Sequence, residues 1–373
     1  MGTTHRAEHV GSLLRPRELL DARAEHAQGR ISLEQLREVE DRAVLDALAL
    51  QREAGVHVFT DGEMRRENWM AALLEEIGGV VPVELPTGEG WHRDGGPDAD
   101  PDEVRFQMFA ATEKVSRKWA LSAVEAAFLA EHTPGQYKIT MQSSSMGAML
   151  WNPELSPAVY PSPDGLVEDL AALQVREIED LLDAGVNWIQ LDSLSYMQVI
   201  DRDFAERLGQ SGVSIAEGLD RSVAVDNRLI RAARLKNPDV TVGLHFCRGN
   251  NRSAYAASGS YDPVAEKLFG QVEVDRFLLE YDTERAGGFD ALRFVPRGRT
   301  VVLGLVSSKV PALESPDDLK RRIDEAARFV PLEQLALSPQ CGFASTSRGN
   351  LLTMDEEKRK LELVVETARQ VWG

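Results

Sequence analysis

Short apolar, β-branched runs ending in polar residues recur along the chain, and longer stretches with apolar positions three and four apart separate most of them. The first pattern predicts strands over residues 9–12, 56–63, 138–142, 188–192, 240–247, 276–280, 300–307 and 335–341. The second predicts amphipathic helices over 33–54, 165–184, 215–237, 316–329 and 354–371. Thr353 with Glu356 three residues on is a capping-box pattern, which sets the start of the last helix. Residues 65–136 interrupt the alternation. Their Gly/Pro/Asp-rich middle, 86–101, predicts a loop or hairpin, and a helix is expected near 115–131.

Strands alternating with helices predict parallel pairing, and eight such repeats suggest an α/β chain closed into a (β/α)8 TIM barrel with an insertion between strands 2 and 3. One domain over 1–373 is expected, with the insertion at about 65–136. An open doubly wound sheet would need a glycine-rich phosphate turn after its first strand, and Gly11-Ser12-Leu13-Leu14 is not one.

Composition narrows the function classes. The chain has 373 residues, 43% hydrophobic and 27% charged, enough for a large core. Its formal charge of −18 comes without a basic block, so nucleic acid is not an expected partner. No apolar stretch reaches the roughly 18 residues that a membrane span requires, and residues 1–6 lack the apolar segment of a signal peptide. A cytoplasmic enzyme is therefore expected, with a homo-oligomer left open. The two cysteines, Cys247 and Cys341, are far apart, which in a cytosolic chain favours free thiols or metal ligands over a disulfide.

On a barrel, strand C-terminal ends converge at the active-site mouth, and here they carry Ser12, Glu63, Asp192, His245, Cys247, Glu280, Ser307 and Cys341. His245 and Cys247 are two apart, so on a strand both face the same way. Glu280 ends the neighbouring strand, about 5 Å across the sheet, and Cys341 ends the last. Sulfur and imidazole donors with a carboxylate favour Zn2+ over magnesium or calcium, and no Cys-x-x-Cys knuckle of a structural zinc site is present. Taken singly, each cysteine reads as a buried thiol and His245 as structural; their convergence favours ligation. Glu63 and Asp192 facing one mouth call for a cation between them, or for pairing with Arg65 or Arg66. Trp69 and Trp151 follow the second and third strands and suit ring stacking or lid packing. Arg248, Asn250 and Arg252 follow the zinc strand, as solvated loop groups or as contacts to an acidic tail.

His245-Phe246-Cys247, Leu279-Glu280-Tyr281-Asp282 and Ser338-Pro339-Gln340-Cys341-Gly342 resemble the zinc-binding segments of the cobalamin-independent methionine synthase family. His9-Val10-Gly11-Ser12, Asp61-Gly62-Glu63-Met64-Arg65 and Ile189-Gln190-Leu191-Asp192 resemble its amino-acid-substrate segments, in order. The resemblance implies a single catalytic barrel whose zinc is held by His245, Cys247, Glu280 and Cys341 and which methylates the thiol of homocysteine. It places Ser12 on the substrate carboxylate and Glu63 and Asp192 on its ammonium. Trp151 joins the substrate-binding candidates, and Glu280, as the ligand that yields to the substrate sulfur, is a catalytic candidate with Ser307. The expected partners are a small-molecule thiol and a methyl donor such as methyltetrahydrofolate.

The chain departs from the family at two places. The His expected after the seventh strand is absent from Val306-Ser307-Ser308-Lys309, and an expected Asp-Glu-Pro reads Asp192-Ser193-Leu194. A zinc-dependent thiol transferase or carbon–sulfur lyase of the epoxyalkane:coenzyme M transferase type is the enzymatic alternative. A non-catalytic zinc-binding barrel is the alternative of another class.

Overall fold

A computed structural model describes residues 5–84, 90–94, 96–105, 107–201, 206 and 215–373. Its strands are β1 (Val58–Phe59), β2 (Ile77–Val83), β3 (Met108–Arg117), β4 (Gln136–Tyr137), β5 (Ile139–Gln142), β6 (Trp188–Asp192), β7 (Thr241–Phe246), β8 (Arg276–Glu280), β9 (Thr300–Val306) and β10 (Leu335–Pro339). Six of them form one parallel sheet in the order β10-β9-β8-β7-β6-β5. Its strands are buried along most of their length, as helix-covered parallel strands must be.

At the β5 edge the chain runs back one residue into β4, which pairs in parallel with β1. At the β10 edge residues 6–8 add one parallel bridge, Ala7 to Leu337. The mixed α/β architecture and the parallel sheet agree with expectation; a closed barrel ladder is not present among the described residues. The expected strand over 9–12 does not form. Its carbonyls are satisfied by side chains: Lys138 Nζ donates to His9 O (2.5 Å), Gln190 Nε2 to Val10 O (2.7 Å) and Thr60 Oγ1 to Gly11 O (2.8 Å). Gly11 allows the approach, since a Cβ there would stand 2.8 Å from Thr140 Cγ2. Residues 9–11 are thus held by side-chain contacts instead of a ladder.

The helices keep close to their expected bounds: Leu33–Glu53, Pro163–Asp183, Ile215–Lys236, Pro316–Ala326 and Met354–Trp372, the last with its Thr353/Glu356 capping box formed. The 65–136 stretch differs. β2 and β3 make an antiparallel hairpin, and the helix expected from 115 begins at Leu121, because Val115 to Arg117 complete β3. Among the described residues, no helix is long and apolar enough to cross a membrane.

Candidate active site

The register of the sheet assembles the site. Asp192 at the end of β6 lies beside His245 on β7, Cys247 follows β7 directly, Glu280 ends β8, and Cys341 follows β10. One donor atom each from His245, Cys247 and Cys341 lies within 4.8 Å of the others, all three residues buried. Both cysteines are free thiols and their sulfurs are 3.7 Å apart. Two thiolates bound to one tetrahedral zinc at about 2.3 Å each would stand about 3.8 Å apart, so the spacing fits.

His245 is aimed by its backbone surroundings. Its Nδ1 donates to the carbonyl of Leu278 on β8 (3.1 Å), leaving buried Nε2 with no hydrogen-bond partner among the described residues. A carbonyl holding one ring nitrogen while the other faces soft donors is how a metal-binding imidazole is oriented. The hydrogen bond shared with Cys247 holds the Cys341 thiol well below its ordinary range, against burial and with help from His245 and Lys309. Cys247 is pushed up by the same hydrogen bond and by burial. Burial opposes an imidazolium at His245, but the charge at Cys341 outweighs it and raises the histidine.

Glu280 is not in that cluster. Its carboxylate accepts from Arg248 N (2.9 Å) and Arg285 Nη2 (2.6 Å). Burial works against the charge, yet Lys309, Arg285 and Arg248 hold its carboxyl down at about 2.

Beside the three donors a pocket is lined by Ser12, Glu63, Trp69, Asp192, Gly342 and Ser345. Glu63 owes its aim to a left-handed backbone, φ 58° after Gly62 at 70°, held by Asp61 Oδ1 accepting from Glu63 N (2.9 Å) and Arg15 Nη2 donating to Glu63 O (3.0 Å). Pairing with the local arginines does not consume it. Arg66 makes a two-point contact with Glu125 (2.7 and 2.5 Å) and a longer ion pair with Glu63 Oε1 (3.8 Å), while Arg65 pairs with Asp41 and Glu40. Thr140 Oγ1 donates to Glu63 Oε1 (3.0 Å), and Oε2 is buried without a partner among the described residues. Asp192 accepts from Gln190 Nε2 (2.8 Å). Burial, then the charges of Glu63 and Cys341, push its carboxyl up to about 7 against His245 and Gln190. Among the described residues, Arg66 reaches Glu63 Oε1 only at 3.8 Å, and one cation held by both carboxyl groups would stabilise them together.

Ser12 and Gly342 are matched to each other. A Cβ on Gly342 would stand 2.0 Å from Ser12 Oγ, and Phe343 N donates to Ser12 O (2.8 Å). Of the two tryptophans, Trp69 lines the pocket, drawn there by its N–H donating to Ser345 O (2.9 Å). Trp151 is elsewhere, half-buried in the cluster of Met70, Leu150 and Tyr160, with its indole N–H on Tyr160 O (2.8 Å). Ser307 also lies outside the pocket lining; its N–H donates to Glu314 Oε1 (2.8 Å) and its hydroxyl accepts from Lys309 N (3.3 Å). Arg248 is not a solvated loop charge but fully buried, donating to the carbonyls of Gly259, Glu280 and Ala286. Asn250 is buried too, on Gly342 O (2.7 Å). The sequence pattern singled out neither Ser345 nor Ser193 of the pocket wall; both are small polar residues with no spacing signal.

A family model described as the catalytic domain of cobalamin-independent synthase matches residues 162–370, which include Asp192, His245, Cys247, Glu280 and Cys341. The chain belongs to the cobalamin-independent synthase family. It is thus a member of a methyltransferase family, the one that contains methionine synthases. A Bacillus subtilis (strain 168) relative named "Uncharacterized protein YxjH" is 38% identical over 98% of this chain and 94% of its own length. The methionine synthase of Pyrococcus abyssi (strain GE5 / Orsay) is 24% identical over 91% of this chain and 86% of its own. In fold, the chain is similar to a B12-independent methionine synthase from Shewanella sp. W3-18-1, solved in complex with selenomethionine, with a TM-score of 0.72, 18% identity and coverage of 99% and 98%.

Proposed function

We propose that this family member is a zinc-dependent S-methyltransferase acting on an amino-acid thiol, with homocysteine as acceptor and methionine as product. The observation that carries the reading is that His245, Cys247 and Cys341 share one pocket with the carboxyl groups of Glu63 and Asp192. We also read the parallel arc as a (β/α)8 barrel sealed by residues 8–12, in one domain with the 65–136 insertion.

His245 Nε2 and the two cysteine sulfurs would hold the metal, with Glu280 as a fourth ligand that can leave for Arg285, which already binds it at 2.6 Å. When bound, zinc supplies the Lewis acidity that lets a thiol with an ordinary pKa near 8.5 react as thiolate at neutral pH. The chain's own residues do the rest. Glu63 Oε2 and Asp192 take the substrate ammonium, Ser12 its carboxylate, and the indole of Trp69 covers the pocket from water. The substrate sulfur then attacks the donor methyl carbon in line as the carbon–nitrogen bond breaks, and the leaving nitrogen takes up a proton. A sulfonate thiol such as coenzyme M would meet carboxylates where it needs cations, which disfavours the coenzyme M transferase reading.

Calorimetry of the zinc-loaded protein with L-homocysteine, in buffers of different ionisation enthalpy, tests this. Binding with about one proton released, abolished by Cys247→Ala, is the expected result. A fully zinc-loaded protein that ignores homocysteine would overturn the substrate assignment.

A further inference from the structure

One buried cation near the donors has no role in the reaction just described. Lys309 is 2% exposed, and its Nζ has no hydrogen-bond partner among the described residues. An ammonium left in that condition is costly unless charges around it compensate. β9 runs between β8, which ends at Glu280, and β10, which leads to Cys341. Glu280 is in register with Gly304 of β9, and Tyr281 N donates to Gly304 O (2.9 Å). Just past the end of β9, Ser308 Oγ donates to Gln340 Oε1 and, at 3.0 Å, to Gly342 O, the two neighbours of Cys341. The backbone of Lys309 is thereby placed beside the loop of Cys341 and just past the end of the strand neighbouring Glu280. Its charge acts on Glu280, Asp282, Cys247 and Cys341 alike.

We propose that Lys309 is a positioning residue of the metal centre: its ammonium is the fixed counter-charge of the Cys247, Cys341 and Glu280 ligand set. A divalent ion with two thiolates and an imidazole is neutral. A third anionic ligand, whether Glu280 or a substrate thiolate, leaves one net negative charge in a buried site. Lys309 balances that charge from outside the coordination shell, whereas Arg285 is already shared with Asp94 and Asp282. The inference rests on the metal reading above.

The test is zinc affinity by chelator competition for the parent, Lys309→Met, Lys309→Gln and Lys309→Arg, with thermal unfolding of each metal-free protein as the control. Both neutral variants are expected to lose about tenfold or more in zinc affinity, the range for partners outside the ligand shell, and Lys309→Arg to retain most of it. A Glu280→Gln background separates charge from packing. There Lys309→Met should cost much less, because the negative charge it balances is gone. Equal zinc affinity in Lys309→Met and parent, or the same loss with and without Glu280→Gln, would overturn the proposal. A metal-free Lys309→Met that fails to unfold cooperatively would move the comparison to Lys309→Gln on the same criteria. A parent that binds no zinc at all would instead overturn the metal reading itself.

Discussion

The sulfurs of Cys247 and Cys341 meet at 3.7 Å across 94 residues of chain, one carried past the end of β7 and the other past the end of β10. The parent should hold one zinc per chain, and Cys247→Ser or Cys341→Ser should release it, as elemental analysis after dialysis against a mild chelator would read. Far-ultraviolet circular dichroism should stay unchanged, because the strands that carry both cysteines are packed independently of the thiols.

Glu63 and Asp192 give the amino-group specificity a direct check. Glu63→Gln and Asp192→Asn should each weaken L-homocysteine binding by about 10- to 100-fold, the scale of a hydrogen bond to a charged group. A thiol of the same length without the amino group should lose far less, and zinc content should not change. Equal losses for both ligands would remove the ammonium from the account.

Gly342 has no room for a side chain. Gly342→Ala would drive a Cβ to 2.0 Å from Ser12 Oγ, so either Ser12 or the Cys341 loop must shift. Zinc retention together with homocysteine affinity reads which one yields. Loss of substrate affinity by at least about tenfold is expected, since small misplacements at a reacting centre have costs of that order.

Beneath the site runs a buried ion network. Lys138 Nζ donates to Glu8 Oε1 (2.9 Å) and Gln190 Oε1 (2.6 Å), and Arg276 reaches Glu8 Oε2 at 2.8 Å. Burial opposes ionisation of Glu8, but Lys138 and Arg276 hold it down at about 2. Lys138→Met should destabilise the fold in denaturant unfolding, but by less than the roughly 3–5 kcal/mol that a wholly unpaired buried charge costs, because Arg276 still holds Glu8. It should also weaken substrate binding, because Lys138 fixes the amide of Gln190 so that its N–H faces Asp192.

Glu357 supplies a pH signature away from the site. Burial pushes its carboxyl up to about 8, although Leu14 N donates to it at 3.1 Å. A folded pKa above the unfolded value near 4.3 contributes stability that is full below about pH 4 and lost as pH rises through 8. Glu357→Gln removes that slope. Its stability relative to the parent should grow by up to about 1.4 kcal/mol per pH unit between pH 5 and 8, read from urea midpoints.

Much of this was legible without coordinates. Buried parallel strands are continuous apolar runs, so β6 to β10 stood out, and their polar terminal residues marked His245, Cys247 and Cys341. The 115–131 helix was misplaced because Val115 and its neighbours suit either element, and pairing with the Ile77–Val83 strand decided for β. Trp151 and Ser307 were assigned to the mouth by nearness in sequence to a strand end. The indole of Trp151 bonds to Tyr160 and the hydroxyl of Ser307 accepts from Lys309 N, and neither residue lines the pocket.

The sequence by itself determined the alternation of strand and helix, and it determined the donor types at the strand ends. Both follow from local periodicity and side-chain chemistry, which need no partner to be read. Which described carboxylates keep an oxygen without a partner, that Glu280 rests on Arg285, and that Arg66 sits closer to Glu125 than to Glu63 were settled by packing across the fold. It alone showed Lys309 Nζ enclosed with no hydrogen-bond partner among the described residues, and residues 9–11 held by side chains in place of a ladder. Those outcomes depend on competition among charges and donors far apart in the chain, and a competition is settled only when all the competitors are in place.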